Sequence, residues 1–252
     1  VNSATHSRRS GFTLIEILIA VSLVGLLSVA MLVAIRVGLN AEVKTNQRLD
    51  ANRRVVGAQR ALQQELNGFM PETAIWNRPD GGGLRKVAFF EGTPQTMRMV
   101  SSYSLNGASR GAPQLLEFLI VPGDQGKGVR LLVNELPYRG GESAGSRIAG
   151  FETAASGFPR PVFFPINVGS GSFVLADDLA YCRLYYLAQE QNPPRQEWRE
   201  EWVQRGWPLA VRVEMAPLQA DVALLHPLTV TAPLHAFRDP DKIYGDEPGF
   251  VH

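Results

Sequence analysis

The chain has 252 residues, with 25 Lys and Arg against 24 Asp and Glu, and a formal net charge of +1. So even a balance carries no electrostatic footprint for nucleic acid or for acidic substrates, and no nucleic-acid partner is expected. Cys182 is the single cysteine, so no disulfide can form within the chain; it reads as a small buried apolar residue on a strand.

In chain order, the first element follows a short polar and basic leader. Arg8, Arg9 and Ser10 precede Gly11-Phe12-Thr13-Leu14-Ile15-Glu16, and no residue from Ile17 to Ile35 is charged. That run is close to the roughly 20 residues a membrane-spanning helix needs. A carboxylate at a span's centre costs roughly 2.5–3.5 kcal/mol on insertion scales, which makes Glu16 a functional candidate. A secretory signal peptide would have a shorter apolar stretch and a small-residue cleavage site after it. A plain single-span anchor fits the length but gives Glu16 no role. Arg8 and Arg9 lie before the span, so the leader is expected to stay cytoplasmic and the remainder to lie outside. Arg36, at the far end, can snorkel to the interface.

Leader, glycine, acid and apolar run together resemble the N-terminus of type IV prepilins and of the pseudopilins of type II secretion. The resemblance implies that a prepilin peptidase cuts after Gly11 and methylates the new N-terminal Phe12. It implies that Glu16 guides assembly by meeting the free amine of a neighbouring subunit. The implied partners are other pseudopilins or pilins, the peptidase and an inner-membrane assembly platform. The implied location is the inner membrane, with the globular part in the periplasm.

Helical patterning continues past the span. No proline occurs between Arg36 and Leu66, and Val55, Ala58, Leu62, Leu66 and Phe69 recur three or four apart. Gly68 and Pro71 are stop signals, so the expected helix is Phe12–Asn67, roughly 84 Å long at 1.5 Å per residue. Its apolar stripe must bury against something, and a sheet is the natural partner. Beyond Pro71 the period becomes two. The expected strands are Lys86–Phe90, Thr96–Tyr103, Leu115–Val121, Val129–Leu136, Pro161–Ile166, Leu179–Leu187, Leu209–Met215 and Pro227–Ala232. Glycine-rich stretches at Asp80–Gly83 and Gly140–Gly157 read as turns and a flexible loop. The acidic, proline-containing end after Phe237 reads as a loose polar tail. The expected class is α+β and pilin-like, with a long N-terminal helix packed on small antiparallel sheets. The division is leader 1–11, transmembrane helix 12–35, exported helix 36–70, β-rich domain 71–237 and tail 238–252.

A second resemblance lies in the C-terminal half. Trp198, Trp202 and Trp207-Pro208-Leu209-Ala210-Val211-Arg212-Val213 are similar to the Trp-rich segment and following strand of J-type minor pseudopilins. Leu179–Tyr186 and Gln59–Leu66 are similar to that family's preceding strand and helix end. The subtype implies a subunit of the pseudopilus tip that primes assembly and helps export folded proteins. A minor type IV pilin, for pilus assembly, adhesion or DNA uptake, is the alternative.

Chemical motifs are sparse. Gly141-Glu142-Ser143-Ala144-Gly145 fits the G-x-S-x-G pattern of hydrolases, and Asp177 or Asp178 followed by His226 or His235 would supply the chain order. The helix–strand alternation of that fold is missing, so a glycine loop is expected instead of a serine hydrolase. Asp239, Asp241, Asp246 and Glu247 offer oxygen ligands of the kind calcium prefers, without an EF-hand loop. No catalytic residue, resident metal or cofactor is expected. Trp198 and Trp202, four apart, suggest a short amphipathic helix turned inward.

Overall fold

The computed structural model describes residues 13–78, 81, 83–105, 107, 109–154, 157–191, 193–218 and 227–235. The leader, Gly11, Phe12, His226 and the tail with its candidate calcium ligands lie outside the described residues.

Helix α1 runs Leu14–Asn67, ending at the residue the stop signals predict. The chain divides into two compact units, residues 1–51 and 52–252, so the boundary falls within α1. In the first unit, the stretch Leu14–Glu42 contains an 18-residue window of mean hydropathy 2.8 and has no buried residue. A helix apolar on every side belongs in lipid or among other helices. At 1.5 Å per residue this stretch is about 44 Å long, enough to cross a bilayer. Its two interior serines are satisfied locally: Ser22 and Ser28 each donate to the carbonyl four residues back, at 2.8 Å. That leaves no hydroxyl unpaired in an apolar medium.

The second unit combines the last turns of α1 with strands β1 (Phe69–Met70), β2 (Thr73–Asn77), β3 (Leu84–Ala88), β4 (Glu91–Gly92), β5 (Thr96–Ser104), β6 (Ser109–Pro122), β7 (Val129–Pro137), β8 (Ile148–Thr153), β9 (Pro159–Phe163), β10 (Phe173–Gln191), β11 (Pro194–Arg199), β12 (Ala210–Pro217) and β13 (Leu228–Pro233). A short helix α2, Gly141–Gly145, lies between β7 and β8. Among the described residues the main sheet has nine strands in the order β1-β5-β6-β7-β10-β12-β13, with β4 beside β5 and β11 beside β10. Hairpins β2–β3 and β8–β9 form two separate two-stranded sheets. Every pairing is antiparallel. The α+β expectation holds.

The stripe on α1 finds its sheet. Ala58, Leu62 and Leu66 are buried, the last two in a cluster with Met97, Met99, Leu116, Phe118, Val133 and Leu184. Alternation on the strands supplies the other side of that core. Val211, Val213 and Met215 of β12 are buried, while Arg212 and Glu214 between them are half-buried. Gly68 ends α1 in close contact with β5. A Cβ there would stand 2.4 Å from Ser101 Oγ and 3.1 Å from the Tyr103 backbone nitrogen, so the chain turns against β5 only as glycine.

The structure departs from the sequence expectations in several places. The strands expected at Lys86–Phe90 and Pro161–Ile166 begin and end earlier, as β3 and β9, and no expectation covers β1, β2, β4 or β11. Strand β10 is longer than Leu179–Leu187, because Asp177-Asp178 forms a bulge and does not end the strand. Asp178 takes a left-handed φ of 52°, and the register slips on both neighbours there. The stretch Gly140–Gly157, expected as a flexible loop, holds α2 and β8. Trp198 and Trp202 do not share a helix: Trp198 lies on β11, and Trp202 follows it in an irregular segment.

Candidate functional site

Glu16 occupies the first turn of α1. The Thr13 carbonyl accepts from the Glu16 and Ile17 amides at 3.1 and 3.3 Å, so Thr13 is the residue that caps the helix. The Thr13 amide in turn donates to Glu16 Oε2 at 3.5 Å. Thr13-Leu14-Ile15-Glu16 is therefore a capping-box sequence in which the acid reaches back to the orphan amide ahead of it. Carboxylates also suit this end of a helix, where the backbone dipole is positive. The 3.5 Å contact is long, so the carboxylate can also turn to an external cation. The Thr13-x-x-Glu16 spacing is the sequence signal of this cap.

Residues 6–32 match the family model described as the prokaryotic N-terminal methylation motif. The chain carries a type IV prepilin-like N-terminus. The match covers the end of the leader, the Gly11–Glu16 segment and most of the span. No curated protein matches the chain. The prepilin-like segment lies in the first unit, and the other candidate residues lie in the second.

The G-x-S-x-G segment forms α2. Gly141 and Gly145 lie flush against β2: a Cβ on Gly145 would sit 1.9 Å from the Ile75 carbonyl oxygen, and one on Gly141 2.7 Å from the Ile75 side chain. The glycines are thus explained by a close approach of helix to strand backbone. Ser143 Oγ donates to the Gly140 carbonyl at 2.7 Å and accepts from the Arg139 amide at 2.9 Å. Its hydroxyl closes the turn that starts the helix. Asp177 makes a two-pronged ion pair with Arg130 at 2.9 and 3.1 Å, and Arg130 also reaches Asp124 at 2.8 Å. Among the described residues, no group of three or more His, Cys, Asp or Glu converges to hold a metal. Cys182 is buried, and that burial pushes its thiol up to about 12. Trp202 and Trp207 are buried in the main core, and Trp202 Nε1 donates to Gly206 at 3.0 Å. Trp198 is half-buried under the Arg212 guanidinium, 4.0 Å from its ring centre.

Two polar features of the core were not foreseen. Arg98, on β5, is buried with its guanidinium shared between Glu117, at 2.9 Å, and Glu91. It also donates to the Phe164 carbonyl and lies over the Phe163 ring. Burial raises the Glu91 carboxyl above its ordinary value, an effect that Arg98 opposes without cancelling. Glu65, in the last turns of α1, is fully buried and neither carboxylate oxygen has a hydrogen-bond partner among the described residues. Burial, reinforced by the nearby Glu135, pushes Glu65 up to about 8. Beside the Arg98 cluster opens a cleft of about 330 Å³, lined by β3, β9, Phe90–Gly92 and the segment Trp202–Gly206.

Proposed function

We propose that this chain is a minor pseudopilin, a structural subunit of the periplasmic pseudopilus of a type II secretion system. Its place is in the tip complex that primes assembly, and its role is non-catalytic. The observation that carries this reading is the methylation motif over residues 6–32, joined to an all-round apolar helix with Glu16 in its first turn. A minor subunit is favoured by the Trp-Pro-Leu-Ala-Val-Arg segment, whose Trp207 and Val211 belong to the core.

In this reading the peptidase cuts after Gly11, and Phe12 becomes an N-methylated terminus in the inner membrane. The helix first anchors the subunit and then packs among the helices of other pseudopilins. Glu16 there needs a cation, because a carboxylate buried alone in a low-dielectric bundle is strongly destabilising. The amine of an adjacent subunit supplies it.

The test is intact mass and N-terminal analysis of the chain expressed with and without a prepilin peptidase. The expected product begins at N-methyl Phe12 only when the peptidase is present. An uncut chain in both cases would refute the reading. Two variants separate charge from capping. Glu16→Gln keeps a side chain that can cap Thr13 but removes the charge, and Glu16→Ala removes both. Both are expected to be processed normally and to lose incorporation into the filament. Wild-type incorporation of Glu16→Gln would show that no charge pairing operates.

A further inference from the structure

The last turns of α1 are fastened to β5 by short-range bonds at their very end. Ser101 Oγ donates to the Glu65 carbonyl at 2.9 Å, and the Ser102 amide donates to the Gly68 carbonyl at 2.7 Å. Strand β1, which follows, pairs with β5 over two residues, Phe69↔Ser101 and Met70↔Val100. Apolar contact does the rest, through Leu62 and Leu66 in the main core. Into this seam the helix places a carboxyl group. Glu65 is fully buried, and neither of its carboxyl oxygens has a hydrogen-bond partner among the described residues.

Met97, Met99, Leu116, Leu131 and Val133 pack in the same cluster as Leu62 and Leu66. Alternation therefore sets Ser101 of β5 and Glu135 of β7 on the face towards α1. Arg98 and Glu117 fall on the opposite face, where they pair with each other, so that cation is turned away from Glu65. Glu135 accepts from Ser104 Oγ at 3.2 Å and from the Leu105 amide, and its charge acts on Glu65. Of the other titratable groups on this side, Tyr103 lies beside Gly68, and Cys182 and Tyr186 are buried on β10. Arg60, on α1 itself, is exposed. An ionised Glu65 would be unpaired, buried and beside a like charge. Its ionisation requires the helix and the sheet to part.

We propose that Glu65 is a proton-operated latch: protonated, it lets the last turns of α1 lie on β5 and β7, and on ionising it releases them from the sheet. The direction follows from the docked state, in which burial first and Glu135 second hold the carboxyl at about 8, against 4.5 when free. Between those values, freeing the helix also frees a proton, so the released population grows about tenfold per pH unit. Above about 8 the docked form has lost its proton too, and the dependence levels off. The ladders from β5 to β13 do not involve α1 and stay closed, which makes the event a local opening. For a subunit assembled through α1, as the proposed function has it, the latch sets how firmly the β-rich part is held to the end of that helix. The latch itself lies wholly in the second unit and operates whether or not the chain is cut at Gly11.

The test uses the full chain in detergent micelles and hydrogen exchange read at single amides from about pH 5 to about pH 9. The Ser102 amide, bonded across the seam, reports on the latch. The Val213 amide, on a strand flanked by β10 and β13, reports on the sheet. After correction for intrinsic exchange, the Ser102 rate is expected to rise about tenfold per pH unit up to about pH 8 and then to level off. In Glu65→Gln the rise is expected to vanish; should that variant fail to fold, Glu65→Met makes the same test. Glu135→Gln removes the like charge and is expected to move the levelling point to lower pH. Added urea, about 1 M, separates local from global opening. It is expected to change the Ser102 rate by less than about twofold and to speed Val213 by about tenfold or more. A flat Ser102 profile in the wild-type protein, an unchanged rise in Glu65→Gln, or a urea response at Ser102 equal to that at Val213 would each overturn the proposal.

Discussion

Neutralising Glu65 is expected to strengthen the fold. Its value of about 8 in the folded state lies above the ordinary 4.5. The folded protein therefore holds a proton that the unfolded chain releases. Stability falls as pH rises from about 4.5 to about 8 and levels off above that. Glu65→Gln keeps the shape without the titration. It is expected to flatten that stretch of the stability curve and to gain about 1–3 kcal/mol at pH 8, measured by urea unfolding at several pH values. Arg98 should behave in the opposite sense. Arg98→Met leaves Glu117 buried without its cation and Glu91 with only weak compensation. A loss of about 3–5 kcal/mol is expected in the same assay. Replacing Arg98, Glu91 and Glu117 together by apolar residues of similar size is expected to cost less than Arg98→Met alone. Neither residue is marked in the sequence, because the burial of a charge depends on which strands lie over it.

At the scale of elements, α2 exists to lie against β2. Gly145→Ala would drive a methyl group into the Ile75 carbonyl. It is expected to lower stability by about 1–3 kcal/mol, read as a fall in unfolding temperature, whereas Ser143→Ala should cost about 1 kcal/mol for its lost hydrogen bonds. The elements that could be read from the sequence are those where local chemistry and tertiary packing agree. The end of α1 at Asn67 is set by Gly68, which is both a poor helix former and the residue that fits against Ser101. Strand β12 shows its period of two because one face is core. Strands β1 and β4 have two residues each, too few for any period. Trp198 and Trp202 imitate a helical pair, yet pairing of Leu187 with Trp198 places the first on a strand. The prepilin-like N-terminus was legible because leader, glycine, acid and apolar run are contiguous. The cleft was not, since β3 and β9 are some seventy residues apart in sequence.

On the scale of the molecule, the two units divide the tasks. Every residue of the main core lies at or beyond Leu62, and the earliest buried apolar residue described is Ala58. Removing residues 1–51 is therefore expected to leave a folded protein that needs no detergent, with an unfolding temperature within a few degrees of the full chain. Circular dichroism and size-exclusion chromatography would check this. The full chain exposes the apolar side chains of Leu14–Leu39 and should need detergent or lipid.

Cys182 has one more consequence. It is the only cysteine in the sequence, it is buried, and its thiol stays protonated far above neutral pH. The native protein is therefore expected to react with neither maleimides nor oxidative cross-linkers. A cysteine placed at an exposed position, such as Leu84 on the β3 edge or Leu14 beside Glu16, would be the one reactive thiol in the chain. Neighbouring subunits could then be mapped by disulfide trapping in the wild-type background, without first building a cysteine-free protein.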